Sequence, residues 1–210
     1  MPGWRLLAAV IALAGYGWLS HWLMIHMPAQ PWTVAALFGP LLAAIGITGL
    51  KRRHWPTLAF AAACIAVVVA VVAHGGVADV RRLYVMQHGA INAVLSWTFA
   101  MTLRPGSMAL ITMLGERVHT NFTQAMRDYT RWLTGVWALY FAAMIVMSVL
   151  LYTLAPWEWW SFFCNALTPL AAIALFAVEH LMRYRRHPEF ERVSIANALR
   201  AYQSHSAGAR

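Results

Sequence analysis

The sequence predicts an all-α fold, a polytopic membrane helix bundle with six transmembrane helices and an interfacial amphipathic helix between spans 4 and 5. Hydrophobic residues make up 61% of the 210 residues and charged residues only 11%, whereas soluble domains carry about 25% charged residues. The apolar residues come in blocks of about twenty, the length at which a helix crosses about 30 Å of hydrocarbon. A soluble all-α protein would show polar helix faces, and TLAFAAACIAVVVAVVAHGG shows none.

Six apolar blocks are candidate spans, because backbone groups in lipid must form their hydrogen bonds within the segment itself. The first block is longer than the core of a signal peptide and no small-residue cleavage site follows it, so we expect it to be retained. We expect one transmembrane domain over 1–182 and a cytoplasmic basic tail over 183–210. The blocks cover residues 4–24, 32–50, 57–75, 83–103, 133–154 and 160–182.

The basic residues indicate the orientation of these spans. With six spans, all of the 16 Lys and Arg residues except Arg81 and Arg82 lie on one face. Cytoplasmic loops carry such an excess, so both termini are expected in the cytoplasm, as in a multi-pass protein of the bacterial inner membrane. The net charge of +9 is then explained by topology and by anionic lipid headgroups. Membrane lipids are the expected partners, and no motif for nucleic acid accompanies the charge.

The two halves of the chain differ in their polar content. Short loops join spans 1 to 3, which we expect to serve packing, with Ala62, Ala66 and Ala70 forming a ridge where another helix can approach. The segment of about 104–132 is long for a loop. We expect an interfacial amphipathic helix there, followed by a charged helix that Thr123 caps and that leads into span 5. An ordinary connecting loop is the alternative.

Polar residues within spans 4 and 6 are the first candidate site. His88 and Asn92 lie on one stripe of span 4, while Asn165 and Thr168 lie in span 6, where Pro169 is expected to kink the helix. Counted from the outer face, both pairs reach matching depths. They would either form interhelical hydrogen bonds that hold the bundle together or line a ligand-binding or proton-handling cavity. His88 is the candidate catalytic residue in the second reading.

Charged residues at the inner ends of spans 4 and 6 are the second candidate site. Glu179 and Arg183 are spaced for an ion pair on the helix surface. The alternative pairs Glu179 with Arg104, or binds a lipid phosphate among basic side chains. That cluster contains Arg104, Arg183, Arg185 and Arg186.

Other chemistry is weakly indicated. His74 and Asp79 have the His-x4-Asp spacing of many acyltransferases, but a match this short arises often by chance. Cys64 and Cys164 lie inside spans without metal-ligand partners, so we expect them to be packing residues. No metal site, cofactor motif, Walker loop or serine-hydrolase motif is found.

The second half of the chain resembles a family of small bacterial inner-membrane proteins that are encoded with aryl-polyene or xanthomonadin-type pigment biosynthesis genes. The resemblance covers residues 83 to 192 and rests on TLRPGSMALITMLGERVH, YTRWLTGVWALYF, FCNALTPL and FAVEHLMRYRRHPEFER. Some relatives carry the label "ketosynthase" from their gene neighbourhood. That activity needs a Cys with two His, or with His and Asn, in a soluble fold of about twice this length. Cys64 and Cys164 lie in spans without such partners. The resemblance therefore implies a pathway setting and no reaction.

These observations lead us to expect a non-catalytic membrane component of a lipid-linked polyene or acyl biosynthesis or export pathway. It would bind an amphiphile, or dock an acidic acyl-carrier protein or pathway enzymes at its basic face. One alternative is a small membrane-embedded acyl or headgroup transferase that uses His88 and the basic cluster. A transporter subunit is the second alternative. The sequence does not indicate an oligomeric state.

Overall fold

The computed structural model describes residues 3–117 and 122–186, and every regular element in these ranges is helical. The all-α prediction is therefore confirmed for the described residues. A short π-helical turn separates the last two α-helices. The elements are α1 (Gly3–His26), α2 (Pro31–Lys51), α3 (Trp55–His74), α4 (Val77–Met101), α5 (Leu110–Glu116), α6 (Gln124–Leu154), α7 (Trp157–Phe162), the π turn (Phe163–Leu167) and α8 (Thr168–Arg186).

Four stretches of helix are long and apolar enough to cross a membrane, which agrees with the predicted membrane character. They are α2, α3, α6 and the stretch Trp157–Arg183, which runs from α7 through the π turn into α8. The other two long helices, α1 and α4, are not among the four. In α4, Gln87, His88 and Asn92 lower the hydropathy. The count of six spans thus stays a prediction.

The surface of α3 suits a non-aqueous environment. Ala61 is its only buried residue, whereas the side chains of Phe60, Val67 and Val69 are more than half exposed. An apolar surface of this extent is covered by lipid or by another protein rather than by water. The ridge of Ala62, Ala66 and Ala70 is also exposed.

The length of α2 and the aromatic residues at its ends fit a membrane of ordinary thickness. Its 21 residues give a length of about 31 Å, close to the thickness of a hydrocarbon core. Trp32 lies at its beginning and Trp55 just beyond its end, and both side chains are more than half exposed. Tryptophan is enriched at the two membrane–water boundaries, where its ring meets both phases.

The described residues divide into two compact units. One unit, called unit A here, holds Ala8–His88 and Ser148–Leu167. The second, unit B, holds 3–7, 89–117, 122–147 and 168–186.

A stack of aromatic rings forms the core of unit A. The ring of Tyr84 stacks between those of Phe38 and Trp157, at centroid distances of 5.5 and 6.4 Å, and Trp157 stacks on Trp160 at 4.6 Å. The polar atoms of these rings are all satisfied, as buried Tyr and Trp require. The Tyr84 hydroxyl donates to the Pro28 carbonyl, Trp157 Nε1 to the Met24 carbonyl, and Trp160 Nε1 to Ser148 Oγ.

In unit B, threonine hydroxyls hold the segment after α4 together and attach it to α6. Thr102 Oγ1 accepts from the Leu110 amide at 3.0 Å and Thr134 Oγ1 from the Ile111 amide at 3.3 Å. A 2.7 Å hydrogen bond joins the hydroxyls of Thr112 and Thr130. These bonds satisfy amides at the start of α5, which has no side-chain cap of its own.

The segment of about 104–132 contains two helical stretches, as predicted. The first is α5, which has only seven residues, and the second is the beginning of α6. The predicted cap is confirmed, because Thr123 Oγ1 accepts from the Met126 amide at 3.3 Å. The position of α5 in a membrane interface stays a prediction. Residues 118–121 of this segment and the tail beyond Arg186 lie outside the described residues.

The irregularity expected at Pro169 is present as the π turn just before it. Proline at this position has no amide hydrogen for the Asn165 carbonyl, and its ring would collide with that carbonyl in a regular α-helix. The helix accommodates the ring by widening over Phe163–Leu167. Such one-turn widenings are a known cause of helix bending.

Candidate functional site

The predicted four-residue site is divided between the two units. His88 and Asn165 belong to unit A, and Asn92 and Thr168 belong to unit B. In unit B, Asn92 is buried, and the Thr168 carbonyl accepts a 2.6 Å hydrogen bond from the Tyr140 hydroxyl. The joint pocket of all four residues stays a prediction.

His88 lies among aromatic side chains of unit A. Its ring meets the ring of Phe163 at 5.7 Å and that of Trp160 at 6.2 Å, both edge to face. Because Trp160 is itself almost fully buried, His88 extends the aromatic core. These contacts account for an imidazole within an apolar helix. They do not indicate a reaction for His88.

Asn165 belongs to a polar cluster that the sequence did not reveal. Its side-chain amide donates to the Ser161 carbonyl at 2.9 Å and lies 3.4 Å from the sulfur of Met24. A 2.9 Å hydrogen bond joins Ser161 Oγ to His21 Nδ1. The cluster thus links α1 to α7 and the π turn. This supports the interpretation that Asn165 holds helices together.

The His21–Ser161 pair has the elements of a nucleophile and a base but lacks access. A nucleophilic serine needs a base within hydrogen-bond reach and room for the reacting group. Ser161 is fully buried, with 0% of its surface exposed. We therefore assign this pair to helix association, where such bonds contribute about 0.6–2 kcal/mol in membranes.

Sequence reasoning could have found His21 by the argument that found His88. An ionisable side chain within a transmembrane segment indicates a polar partner on a neighbouring helix. Ser161 precedes Asn165 by four residues, which places both on one helix face. Positions along one helix, however, do not predict which other helix supplies the partner.

Residues of the second candidate site form a local network in unit B. Glu179 is buried, and its carboxylate accepts from the Tyr129 hydroxyl at 3.1 Å and pairs with Arg183 at 3.2 Å. The ion pair observed for Glu179 is therefore the one with Arg183, not one with Arg104. Arg104 and Arg185 are exposed, and the side chain of Arg186 is outside the description. A phosphate site among these arginines stays a prediction.

His74 and Asp79 line one hollow of about 510 Å³ but do not form a catalytic pair. Asp79 accepts from the Gly76 amide at 3.2 Å and pairs with Arg82 at 3.0 Å. Within the described residues, no hydrogen bond joins His74 to Asp79. A general base needs an orienting partner in reach, so the spacing match has no geometric support.

An apolar cleft lies between α2 and α3, where the sequence predicted only packing. This α2–α3 groove has a volume of about 940 Å³, at the upper end of the range of about 300–1,000 Å³ typical of ligand sites. Its lining contains no charged or polar side chain. The lining residues are Pro31, Val34, Ala35, Phe38, Gly39, Leu42, Ala43, Gly46, Ile47, Leu50, Leu58, Ile65, Val68, Val69, Val72 and Ala73.

Glycines of α2 determine where the groove is closed and where it is open. At Gly49, an added Cβ would lie 3.1 Å from the Leu58 side chain, so the two helices approach closely there. At Gly39 and Gly46, both of which line the groove, an added Cβ would meet no atom within 4 Å. The groove is therefore wider at these two positions because glycine has no side chain.

Within the described residues, no group of three His, Cys, Asp or Glu side chains is placed to hold a metal ion. Comparison of the chain with protein-family models, with curated proteins and with solved structures returned no match.

Proposed function

We propose that this protein is a six-span protein of the bacterial inner membrane, with both termini in the cytoplasm, that binds the apolar chain of an amphiphile in the α2–α3 groove. In this proposal it is a non-catalytic component of a lipid-linked polyene or acyl biosynthesis or export pathway. The observation that carries the proposal is the entirely apolar lining of the groove.

The dimensions of the groove support an elongated occupant. Its lining extends along α2 from Pro31 to Leu50, a distance of about 29 Å at 1.5 Å per residue. An extended hydrocarbon chain aligned with the helices matches this shape. A compact polar metabolite would find no hydrogen-bonding side chain there, and burying its polar groups without partners would be unfavourable.

The polar residues support a holding role rather than turnover. Hydrogen bonds join Ser161 to His21 of α1 and to Asn165. The ring of His88 packs on aromatic rings. The pathway setting is supported by the resemblance of residues 83 to 192 to proteins encoded with polyene pigment genes.

A groove-filling substitution tests the proposal. Gly46→Phe places an aromatic ring in open space within the groove, and Gly15→Phe is the matched control, since an added Cβ at Gly15 also meets no atom within 4 Å. Membranes would contain a phosphatidylcholine with a photoactivatable group in its acyl chain. We expect labelled peptides from α2 and α3 in the wild type and in Gly15→Phe, and loss of that label in Gly46→Phe.

Two outcomes would contradict chain binding. Unchanged labelling of α2 and α3 in Gly46→Phe would show that the label reports general lipid exposure. If Gly46→Phe instead converted a dimer into a monomer in mild detergent, the groove would belong to a second copy of the chain. Peptide mapping measures the labelling, and the mass of the purified protein in detergent distinguishes a dimer from a monomer. Both measurements use the same preparations.

A docking role for the basic face is the second candidate, and the exposed Arg185 at the end of α8 favours it. An acidic acyl-carrier protein would be attracted to such a face. Charge reversal at Arg185 and Arg186 should abolish capture of the carrier by the full-length protein. Retention of the carrier by this variant would remove the docking role and leave chain binding untouched.

The transferase alternative is tested at His88. His88→Gln keeps a side chain of similar reach but removes the imidazole base. In membranes that contain normal amounts of the variant, unchanged pathway product supports the non-catalytic proposal. Loss of product with the protein still present would favour the transferase.

A further inference from the structure

We propose that the amphiphile held by the α2–α3 groove is an anionic phospholipid whose phosphate binds at the basic corner, defined as Lys51, Arg52 and Arg53. This inference rests on the proposed function, because it needs the chain in the groove. It adds the chemical class of the headgroup and its place. Neither Lys51, Arg52 nor Arg53 was a candidate site residue in the sequence.

The basic corner has a defined backbone geometry. The amide of Arg53 donates to the Leu50 carbonyl at 3.1 Å, and the amide of His54 donates to the Gly49 carbonyl at 2.9 Å. This pair of bonds is the Schellman motif, in which the residue after the helix cap takes a left-handed conformation. Arg53 occupies that position with φ of 48°.

Arginine is an unfavourable choice at this position. Glycine adopts the left-handed region without steric cost, and it is the usual residue at this point of the motif. Among the described residues, Arg53 is the only non-glycine residue with positive φ. A strained residue of this kind points to a use for its side chain. An attractive use is the bidentate hydrogen bonding that a guanidinium offers a phosphate.

The charges of the basic corner are available to a ligand. All three side chains are exposed, and the three ion pairs found in the described residues involve other cations. The partial negative charge at the end of α2 favours a cation such as Lys51, but this effect fades within one turn. Three successive cations repel one another, and a bound anion relieves that repulsion.

The position of the basic corner relative to the groove identifies a lipid as the source of the anion. Leu50 and Leu58, which line the groove, directly flank the segment 51–57. Trp55, in the same segment, is 77% exposed, as expected at the boundary between hydrocarbon and headgroups. One amphiphile can therefore place its chain against α2 and α3 and its phosphate at the basic corner.

Competition between two lipids with the same acyl chains tests the headgroup. The full-length protein in mild detergent is mixed with equal amounts of phosphatidylglycerol and phosphatidylcholine, and bound lipid is counted by native mass spectrometry. We expect wild type to prefer phosphatidylglycerol, and Arg53→Gln to reduce that preference about fivefold. Arg53→Lys should keep most of the preference, and Arg117→Gln, which removes another exposed arginine, should keep all of it.

Arg53→Gly protects this test against misfolding. Glycine suits the left-handed backbone, so this variant should be at least as stable as wild type and still lose the preference. An unchanged lipid ratio in both Arg53→Gly and Arg53→Gln would overturn the inference. Displacement of bound phosphatidylglycerol by an equal concentration of glycerol phosphate would also overturn it, by showing that the site recognises free phosphate.

The two proposals fail in different ways. If Gly46→Phe reduces the binding of both lipids while the Arg53 variants leave their ratio unchanged, chain binding stands and the headgroup site is wrong. If Gly46→Phe has no effect on either lipid, the proposed function itself is wrong.

Discussion

At the scale of single residues, the contact between α1 and the π turn depends on one missing methyl group. Pro169 has no amide hydrogen for the Asn165 carbonyl, and the oxygen of this carbonyl lies close to Gly17. The distance from a Cβ at Gly17 to the carbonyl oxygen would be 2.8 Å, which side chains do not tolerate. Gly17 is therefore required for this approach.

We predict that Gly17→Ala destabilises the protein by about 1–3 kcal/mol, the usual cost of overpacking. Gly15→Ala, two residues earlier in the same helix, should instead stabilise it by up to about 1 kcal/mol through helix propensity. Thermal unfolding in mild detergent measures both. Equal stability of the two variants would mean that α1 does not approach the π turn in this way.

Buried Glu179 supports a second prediction at this scale. Tyr129→Phe removes the hydroxyl that donates to its carboxylate and should cost about 1.5–3 kcal/mol, as for hydrogen bonds to charged groups. Tyr16→Phe is the control, because the Tyr16 side chain is 44% exposed. If both substitutions have the same small effect on unfolding temperature, the Glu179 carboxylate does not depend on Tyr129.

At the scale of elements, the beginning of α6 shows how one hydroxyl sets a helix boundary. The 31 residues of α6 exceed the roughly 20 needed to cross a bilayer, so its first turns extend beyond the predicted span. These turns carry Thr130, which holds α5 together with Thr134 at the beginning of the predicted span. The cap at Thr123 therefore supports both the helix and the segment attached to it.

We predict that Thr123→Ala lowers the free energy of unfolding by about 0.5–2 kcal/mol, the range for lost N-caps. Thr153→Ala, near the other end of α6, removes a hydroxyl that bonds only to carbonyls within the helix. It should have a smaller effect. Circular dichroism during chemical unfolding distinguishes the two, and an equal loss would argue against the cap.

At the scale of the whole molecule, the proposed topology places the α2–α3 loop in the cytoplasm and the α3–α4 loop outside. A phosphatase that is active only outside the cytoplasm should be inactive when fused after His54 and active when fused after Gly76. A fluorescent protein that folds only in the cytoplasm should give the opposite pattern. The same reading at both positions would show that α3 does not cross the membrane.

The sequence predicted single elements better than their associations. Block lengths located α2, α3 and the last long helix within a few residues, and also the end of α6, because burial in hydrocarbon dictates helix length. The cap at Thr123 and the irregularity at Pro169 also follow from local chemistry. By contrast, the attachment of α5 to α6 depends on the hydroxyls of Thr130 and Thr134, which no local pattern predicts.

The candidate site was harder to predict for the same reason. The α2–α3 groove exists only when two featureless apolar helices meet at Gly49 and diverge at Gly39 and Gly46. Its lining has the composition of any lipid-facing surface. The hydrogen bond from His21 to Ser161 joins residues 140 positions apart. The spacing of residues along either helix therefore does not predict it.

The apolar lining of the α2–α3 groove has a consequence for how its occupancy would be controlled. A molecule already dissolved in the bilayer would reach it by diffusing sideways, without passing through water. Its saturation would then follow the mole fraction of that species among all membrane lipids, and dilution of cells or vesicles in buffer would leave it filled. A change in lipid composition would be the signal to which such a protein responds.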